Sequence, residues 1–254
     1  MANRAKNPVK TTTTTFTIVE ALKELGSCGV TELANHLKLP KSTVHNYLST
    51  LEQEEYVKKE GNTYSVGIRF LELGAYARDC MQIYDIAKPE VDRLADETRE
   101  LANLMIEEHG HGVYIHQAKG EQAVQVDSYV GTRVDLHATA LGKSILAHLP
   151  EDRVDTIVDN HGLPQRTKRT VSTREELEEE LELVRERGYA TDDEERLKGL
   201  RCVAAPIQTS DGRVLGAVSA SGPVNRMQEE YFEDELPNRV LETVNVIELN
   251  VTYS

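Results

Sequence analysis

Apolar residues first recur at helical spacing at Phe16, Val19 and Leu22, with Ile18, Ala21 and Leu25 on a neighbouring stripe, which predicts a helix ending at Gly26. Two shorter helices are predicted over VTELANHLKLPKSTVHNYLSTL, Val30 to Leu51. In the first, Leu33 and Leu37 stand four apart and Thr31 is free to cap the start. Lys38, Leu39 and Pro40 then break the pattern, and proline is tolerated only in the first turn of a new helix. The next helix therefore begins near Lys41, turning Val44, Leu48 and Leu51 inward and Ser42, Thr43, His45, Asn46 and Ser49 outward. A face of hydrogen-bonding side chains with a lysine at its start is what the second helix of a helix-turn-helix presents to base edges and phosphates.

Further along, Tyr56 to Val66 alternates around Gly61-Asn62 and reads as a hairpin. Placed directly after the helix pair, with Lys58 and Lys59 beside the turn, it reads as a wing that grips flanking phosphates. Helical spacing returns from Gly67 to Ala87, where Phe70, Leu73, Ala77, Cys80 and Tyr84 form a short seam able to pair two chains. Such pairing would set two recognition helices about one DNA turn apart, roughly 34 Å. Pro89 is expected to open a helix carrying Val91, Leu94, Ala95, Thr98 and Leu101. Strands are predicted over Asn103 to Glu108, Gly112 to Ala118 and Ala123 to Val130, and later over Arg201 to Gln208 and Arg213 to Gly222. Helices are predicted over Ala138 to Leu149, from Pro150 through Ile157, over Thr173 to Arg187, and from Glu229 to Asn250.

The formal net charge of -14 argues against a nucleic-acid partner until its distribution is considered. Residues 1 to 80 hold 10 Lys+Arg against 9 Asp+Glu, while the remainder holds 19 against 34. The acid excess, with 17 arginines to 12 lysines, is the balance expected in a salt-rich, halophilic host, where direct base contacts must carry more of the affinity. Met1 to Thr15 carries Arg4, Lys6 and Lys10 and then five threonines, and reads as a flexible basic arm. Cys28, Cys80 and Cys202 lie too far apart for a metal finger or disulfide framework. Without a long apolar run or signal-peptide core, the chain reads as cytoplasmic, with no membrane partner and no cofactor.

Four stretches carry a more specific signal: LHATALGKSIL at Leu136 to Leu146, GYATDDE at Gly188 to Glu194, LKGLRCVAAPI at Leu197 to Ile207, and GAVSASGP at Gly216 to Pro223. In this order and spacing, behind a winged helix and linker, they resemble the IclR family of transcriptional regulators over essentially the whole chain. The resemblance implies an N-terminal winged helix-turn-helix that binds operator DNA and a C-terminal α+β domain, GAF-like with an antiparallel sheet, that binds a small metabolite. It implies a homodimer or homotetramer, and effector contacts at Ala140, Leu141, Asp192, Leu200, Cys202, Ser219 and Ser221, with Val126 and Val134 on the apolar side.

The expected architecture is thus an α/β two-domain chain. A basic arm covers residues 1–11, the winged helix-turn-helix 12–68, a linker helix 69–87 and the effector-binding domain 88–254. Amides near Ala140 to Gly142 and the hydroxyls of Ser219 and Ser221 suit a small hydroxy or keto acid. Asp192 as an acceptor leans the choice towards a sugar or sugar acid, such as a pentose product, and hence towards control of carbohydrate catabolism by activation or repression. Competing readings remain at this point. Ser219 and Ser221 share one strand face that could be solvent-facing, and Cys202 could be simple core. His109, His111 and His116 are read as scattered imidazoles rather than metal ligands. His137, Asp192 and Cys202 could form a nucleophile set in an enzyme that retains a DNA-binding module, and a constitutive architectural DNA binder is a third possibility.

Overall fold

A computed structural model describes the chain from Ala5 to Tyr253, so Arg4 of the expected arm lies outside the described residues. The described chain divides into two compact units, one ending at Arg78 and one beginning at Asp79.

The first unit contains α1 (Lys10–Leu25), β1 (Cys28–Gly29), α2 (Val30–Leu37), α3 (Lys41–Gln53), β2 (Val57–Glu60), β3 (Thr63–Val66) and α4 (Arg69–Asp79). The threonine run expected in the arm is instead the first turns of α1. Thr14, Thr15 and Thr17 return their hydroxyls to the carbonyls of Lys10, Thr11 and Thr13, which lets exposed threonines sit in a helix with their polar groups satisfied. Ile18, Val19, Ala21 and Leu22 are buried against Leu33, Val44, Leu48 and Leu51, while Phe16, expected on that stripe, is exposed. Thr31 does not cap α2, whose N-cap is Gly29. Lys38 adopts a left-handed conformation, φ 55°, that closes the turn, and Pro40 is the N-cap of α3. Strands β2 and β3 pair from Val57 with Val66 to Glu60 with Thr63 around Gly61-Asn62, and β1 adds a third strand on the β3 side. No residue of α4 is buried, and the seam expected to continue to Tyr84 is interrupted, because α4 ends at Asp79 and the next helix starts at Gln82.

The second unit is a six-stranded antiparallel sheet between two helical layers. Its elements are α5 (Gln82–Thr98), β4 (Leu101–Glu108), β5 (His111–Lys119), β6 (Arg133–Val134), α6 (Ala140–Leu146), α7 (Glu151–His161), α8 (Arg174–Arg187), β7 (Ala190–Asp193), β8 (Leu200–Gln208), β9 (Val214–Pro223) and α9 (Leu236–Thr252). Strand order is β6-β5-β4-β9-β8-β7. Alternation along the strands sends Ala102, Leu104, Val203, Ala205, Val218 and Ala220 to one face, under α5 and α9. Met105, Tyr114, Cys202, Ala204 and Ala217 go to the other, under α6, α7 and α8. Between Leu104 and Met105 the pairing with β5 slips from His116 to Tyr114. This bulge leaves Ile115 in the first core and brings Tyr114 over to the second.

Several expectations are corrected. Pro89 lies inside α5 rather than at its start. Ala123 to Val130 is not a strand; the sheet edge is taken by two-residue β6, paired with Gly112 and Val113. The helix expected from Ala138 is a 3-10 turn at Leu136–Ala138, an extended Thr139 and then α6. The closing helix begins with a π-helical turn at Tyr231–Glu235.

Candidate functional site

In the first unit, Val44, Leu48 and Leu51 anchor α3 in the core and leave Lys41, Ser42, His45, Asn46 and Ser49 exposed, with Thr43 half-buried at the margin. The expected recognition face is therefore continuous along one side of the helix. The wing lysines do not project together. Neighbouring strand residues point to opposite faces, so Lys59 lies over the Tyr64 ring at 5.4 Å while Lys58, on the other face, pairs with Glu60 at 2.5 Å.

In the second unit, a row of polar side chains crosses the sheet on the α6 face. Asn103 on β4 is paired with Gln117 on β5 and with Ser219 on β9. Its amide donates to Ser219 Oγ at 3.3 Å and its carbonyl oxygen accepts from Gln117 Nε2 at 3.0 Å. One row further, Ser221 pairs with Cys202 and Cys202 with Asp192, and Ser221 Oγ donates to Cys202 Sγ at 3.1 Å. Ser219 and Ser221 are buried, so the solvent-facing reading of that strand face is wrong. Over this row sits the start of α6. Thr139 Oγ1 caps it by accepting from the Gly142 amide at 2.9 Å, and Ser144 Oγ donates to the Ala204 carbonyl at 2.9 Å, pinning the helix to β8. Gly142 is obligatory in this approach, since a Cβ there would lie 2.1 Å from the Leu136 carbonyl oxygen. Ala140 and Leu141 are buried in the same core as Cys202.

Asp192 is buried, and its Oδ1 accepts from the amides of Glu195 at 2.7 Å and Arg196 at 3.4 Å, so half of the carboxylate shapes the turn that follows. Burial, with Glu195 beside it, raises its pKa to about 7, which makes it as ready to donate as to accept. Burial pushes the Cys202 thiol up to about 12, and His137 is bonded to the Pro164 carbonyl rather than to Cys202. A buried, undissociated thiol bonded by a serine is not an activated nucleophile.

Beside the row opens a cavity of about 340 Å3 whose lining includes Asp127, Val134, Thr139, Arg166 and Arg196. That volume suits a small metabolite, since ligand pockets run to about 300–1,000 Å3. Tyr114 stands behind the cavity wall: its backbone amide donates to the carbonyl of Thr132, which lines the cavity, at 3.2 Å, and its buried phenol is raised in pKa by desolvation. Of the expected effector residues, Val134 lines the cavity, and Asp192, Cys202, Ser219 and Ser221 form the buried row. Val126 lies half-buried in the irregular segment before β6, and Leu200 sits at the strand end opposite Pro223; neither lines the cavity. Asn103, Gln117, Tyr114, Thr139 and Arg196 were not among the expected residues. Tyr114, an aromatic in a strand otherwise read as ordinary alternation, and Arg196, which falls between two motif stretches, gave the weakest signals.

Two family models match the chain. One is described as the IclR helix-turn-helix domain, over residues 12–61, and the other as bacterial transcriptional regulator IclR C-terminal, over residues 76–249. A probable HTH-type transcriptional regulator ArcR from Halobacterium salinarum is 36% identical, covering 92% of this chain and 90% of its own length. The HTH-type transcriptional regulator KdgR from Escherichia coli is also 36% identical, over 86% of this chain and 84% of its own. Among solved structures, an IclR from Thermotoga maritima superposes with a TM-score of 0.78 at 32% identity, covering 96% of this chain and 99% of that one.

Proposed function

Because the chain belongs to the IclR family of transcriptional regulators, we propose that it couples occupancy of the metabolite cavity beside α6 to its hold on operator DNA. It is a DNA-binding regulator with an effector-binding domain, and its relatives are regulators rather than enzymes. In our reading α3 enters the major groove with Asn46, His45, Ser42 and Ser49 towards base edges and Lys41 towards phosphate. The wing contributes one lysine at a time.

The observation that carries the sensing half is the buried polar row of Asn103, Ser219, Ser221 and Asp192 beside a cavity of metabolite size. Burying that many polar groups costs stability unless they serve a partner or one another. The effector is a small, oxygen-rich metabolite, a sugar acid or keto acid. Asp192 does not select a neutral sugar over an acid, because near neutral pH it can donate to an acid as well as accept from a hydroxyl. The ligand acts by preferring one arrangement of the dimer or tetramer, and so controls genes for catabolism of that metabolite. The acid-rich surface beyond residue 80, together with the relative from Halobacterium salinarum, supports a salt-rich setting.

A gel-shift titration of the full-length protein on promoter fragments, with sugars, sugar acids and keto acids added in turn, tests the coupling. At least one acid should change operator affinity. No change at millimolar concentrations of any of them removes the sensing claim and leaves the DNA claim standing.

A further inference from the structure

The cavity beside α6 is unusual for this chain in its charge. The residues after position 80 carry 19 Lys+Arg against 34 Asp+Glu, yet three arginines, Arg133, Arg166 and Arg196, gather around one cavity with two aspartates. Such a concentration of positive charge in an acidic domain needs a reason. On the reading that a metabolite occupies this cavity, the reason lies in the one cation there, among the described residues, that is able to change partners.

Most of the groups that could meet an anion are already committed. Lys143 is buried and held by Glu195 at 2.7 Å and Glu180 at 3.2 Å. The Gly142 amide at the α6 start is taken by Thr139 Oγ1. Arg166 is paired with Asp135, whose side chain is only 14% exposed and therefore well fixed. Arg133 is exposed and bonds the Glu108 carbonyl at 3.4 Å. Arg196 differs from all of these. Its side chain is 14% exposed, so its charge is largely withdrawn from water, and among the described residues its one carboxylate partner is Asp127, at 2.8 Å and 70% exposed. Asp127 lies in the irregular segment 120–132, where a strand is expected and none forms. A largely buried guanidinium is thus neutralised by a solvent-exposed carboxylate on a segment without a strand partner. The Arg196 backbone amide meanwhile bonds Asp192, fixing the root of the side chain beside the polar row.

We propose that Arg196 reads the acid group of the effector and that Asp127 stands in for that group as an exchangeable internal counter-ion. A ligand carboxylate entering the cavity takes the place of Asp127 on the guanidinium, an exchange of one charge-assisted hydrogen bond for another. Asp127 returns to water at little cost, because it is already mostly solvated. The ligand's hydroxyl or keto oxygens then face the row. A neutral sugar of the same length cannot displace Asp127, so Arg196 discriminates acids from neutral analogues, and Asp127 sets how strongly an acid must compete.

The test is calorimetric titration of D-xylonate, D-gluconate and 2-oxobutyrate, with D-xylose as the neutral match, into full-length wild type, Arg196→Gln and Asp127→Asn. At least one acid should bind wild type about tenfold or more tightly than xylose, and Arg196→Gln should abolish that preference. Asp127→Asn removes the competitor and should tighten the same acid by roughly fivefold while leaving xylose unchanged; a gain of affinity cannot arise from misfolding. Equal affinity of acids and xylose for wild type, or an acid preference that survives Arg196→Gln, overturns the role of Arg196, and no gain with Asp127→Asn overturns the counter-ion exchange; each leaves the metabolite cavity itself intact. If none of the four binds or shifts operator affinity, the role of Arg196 and the sensing reading beneath it are both overturned.

Discussion

Lys143 Nζ lies 2.7 Å from Glu195 Oε1, with the lysine side chain 1% exposed and the second glutamate oxygen buried without a partner among the described residues. Glu180 meets the same ammonium at 3.2 Å and is itself bridged to Arg187. The pair ties α6 to the turn after β7, which carries Arg196 and whose Glu195 and Arg196 amides are held by Asp192 at the end of the strand. Breaking a buried pair by removing one partner leaves the other charge stranded, so Lys143→Met should cost about 3–5 kcal/mol of unfolding free energy. Glu195→Met added to it should recover part of that loss. Urea unfolding of the two single variants and the double variant checks this. Additive losses would show that the pair is not coupled.

Asp192 gives the fold a pH dependence of definite sign. Its folded pKa, raised to about 7 from 3.8 by burial and by Glu195, means the folded state holds a proton that the unfolded chain has released. Stability from this group is therefore greatest below about pH 4 and is lost progressively as pH rises towards 7. Asp192→Asn keeps the acceptor for the Glu195 and Arg196 amides but cannot ionise, so its melting temperature should change less than wild type between pH 5 and pH 8. Parallel thermal scans would disprove the assignment.

At the DNA face, Asn46 is exposed on α3 one turn before Thr50, whose hydroxyl bonds the Asn46 carbonyl at 3.0 Å and so leaves the Asn46 side chain clear of that contact. Asn46→Ala should cost about 1–3 kcal/mol at the cognate operator and little on unrelated DNA. Lys58 and Lys59 lie on opposite strand faces, so only one of the two alanine variants should reduce the salt slope of binding, by about 1. Fluorescence anisotropy over a salt series separates these effects.

The helices were readable because each carries its own period. Val44, Leu48 and Leu51 in α3, and Leu177, Leu181 and Val184 in α8, reappear as buried residues. Thr173 and Glu176 form a capping box that fixes where α8 begins. The sheet was harder. Ala123 to Val130 alternates as well as any strand, but the edge position beside β5 is filled by Arg133 and Val134, a pairing too short to leave a period. Strand β7, ATDD, is too polar to be read as a strand; only its register against β8 shows why Ala190 and Asp192 face inward. The same blindness hid part of the candidate site. Ser219, Ser221, Cys202 and Asp192 came from motifs, whereas Asn103 and Tyr114 belong to it only through cross-strand register and a bulge.

The exposed side of α4 offers a surface on which two copies of the chain would pair. Ile68, in the turn just before α4, is followed by Leu71 and Ala75 at steps of three and four, with Tyr76 beside them, and Ile68, Leu71 and Tyr76 are all exposed. An apolar strip of this kind in the DNA-binding unit is costly to leave in water, at roughly 25 cal/mol per Å2, and pairing two copies along it would bury it twice over. Leu71→Glu puts a charge at the centre of that strip without touching the core of Val44 and Leu48. Sedimentation equilibrium should show wild type as a dimer or larger, and the variant dissociating at about tenfold or more higher concentration, since each 1.4 kcal/mol lost is one decade. Its helix content should be unchanged, and its affinity for a two-half-site operator should fall while that for a single half-site is retained. An unaltered mass distribution would remove α4 from the interface.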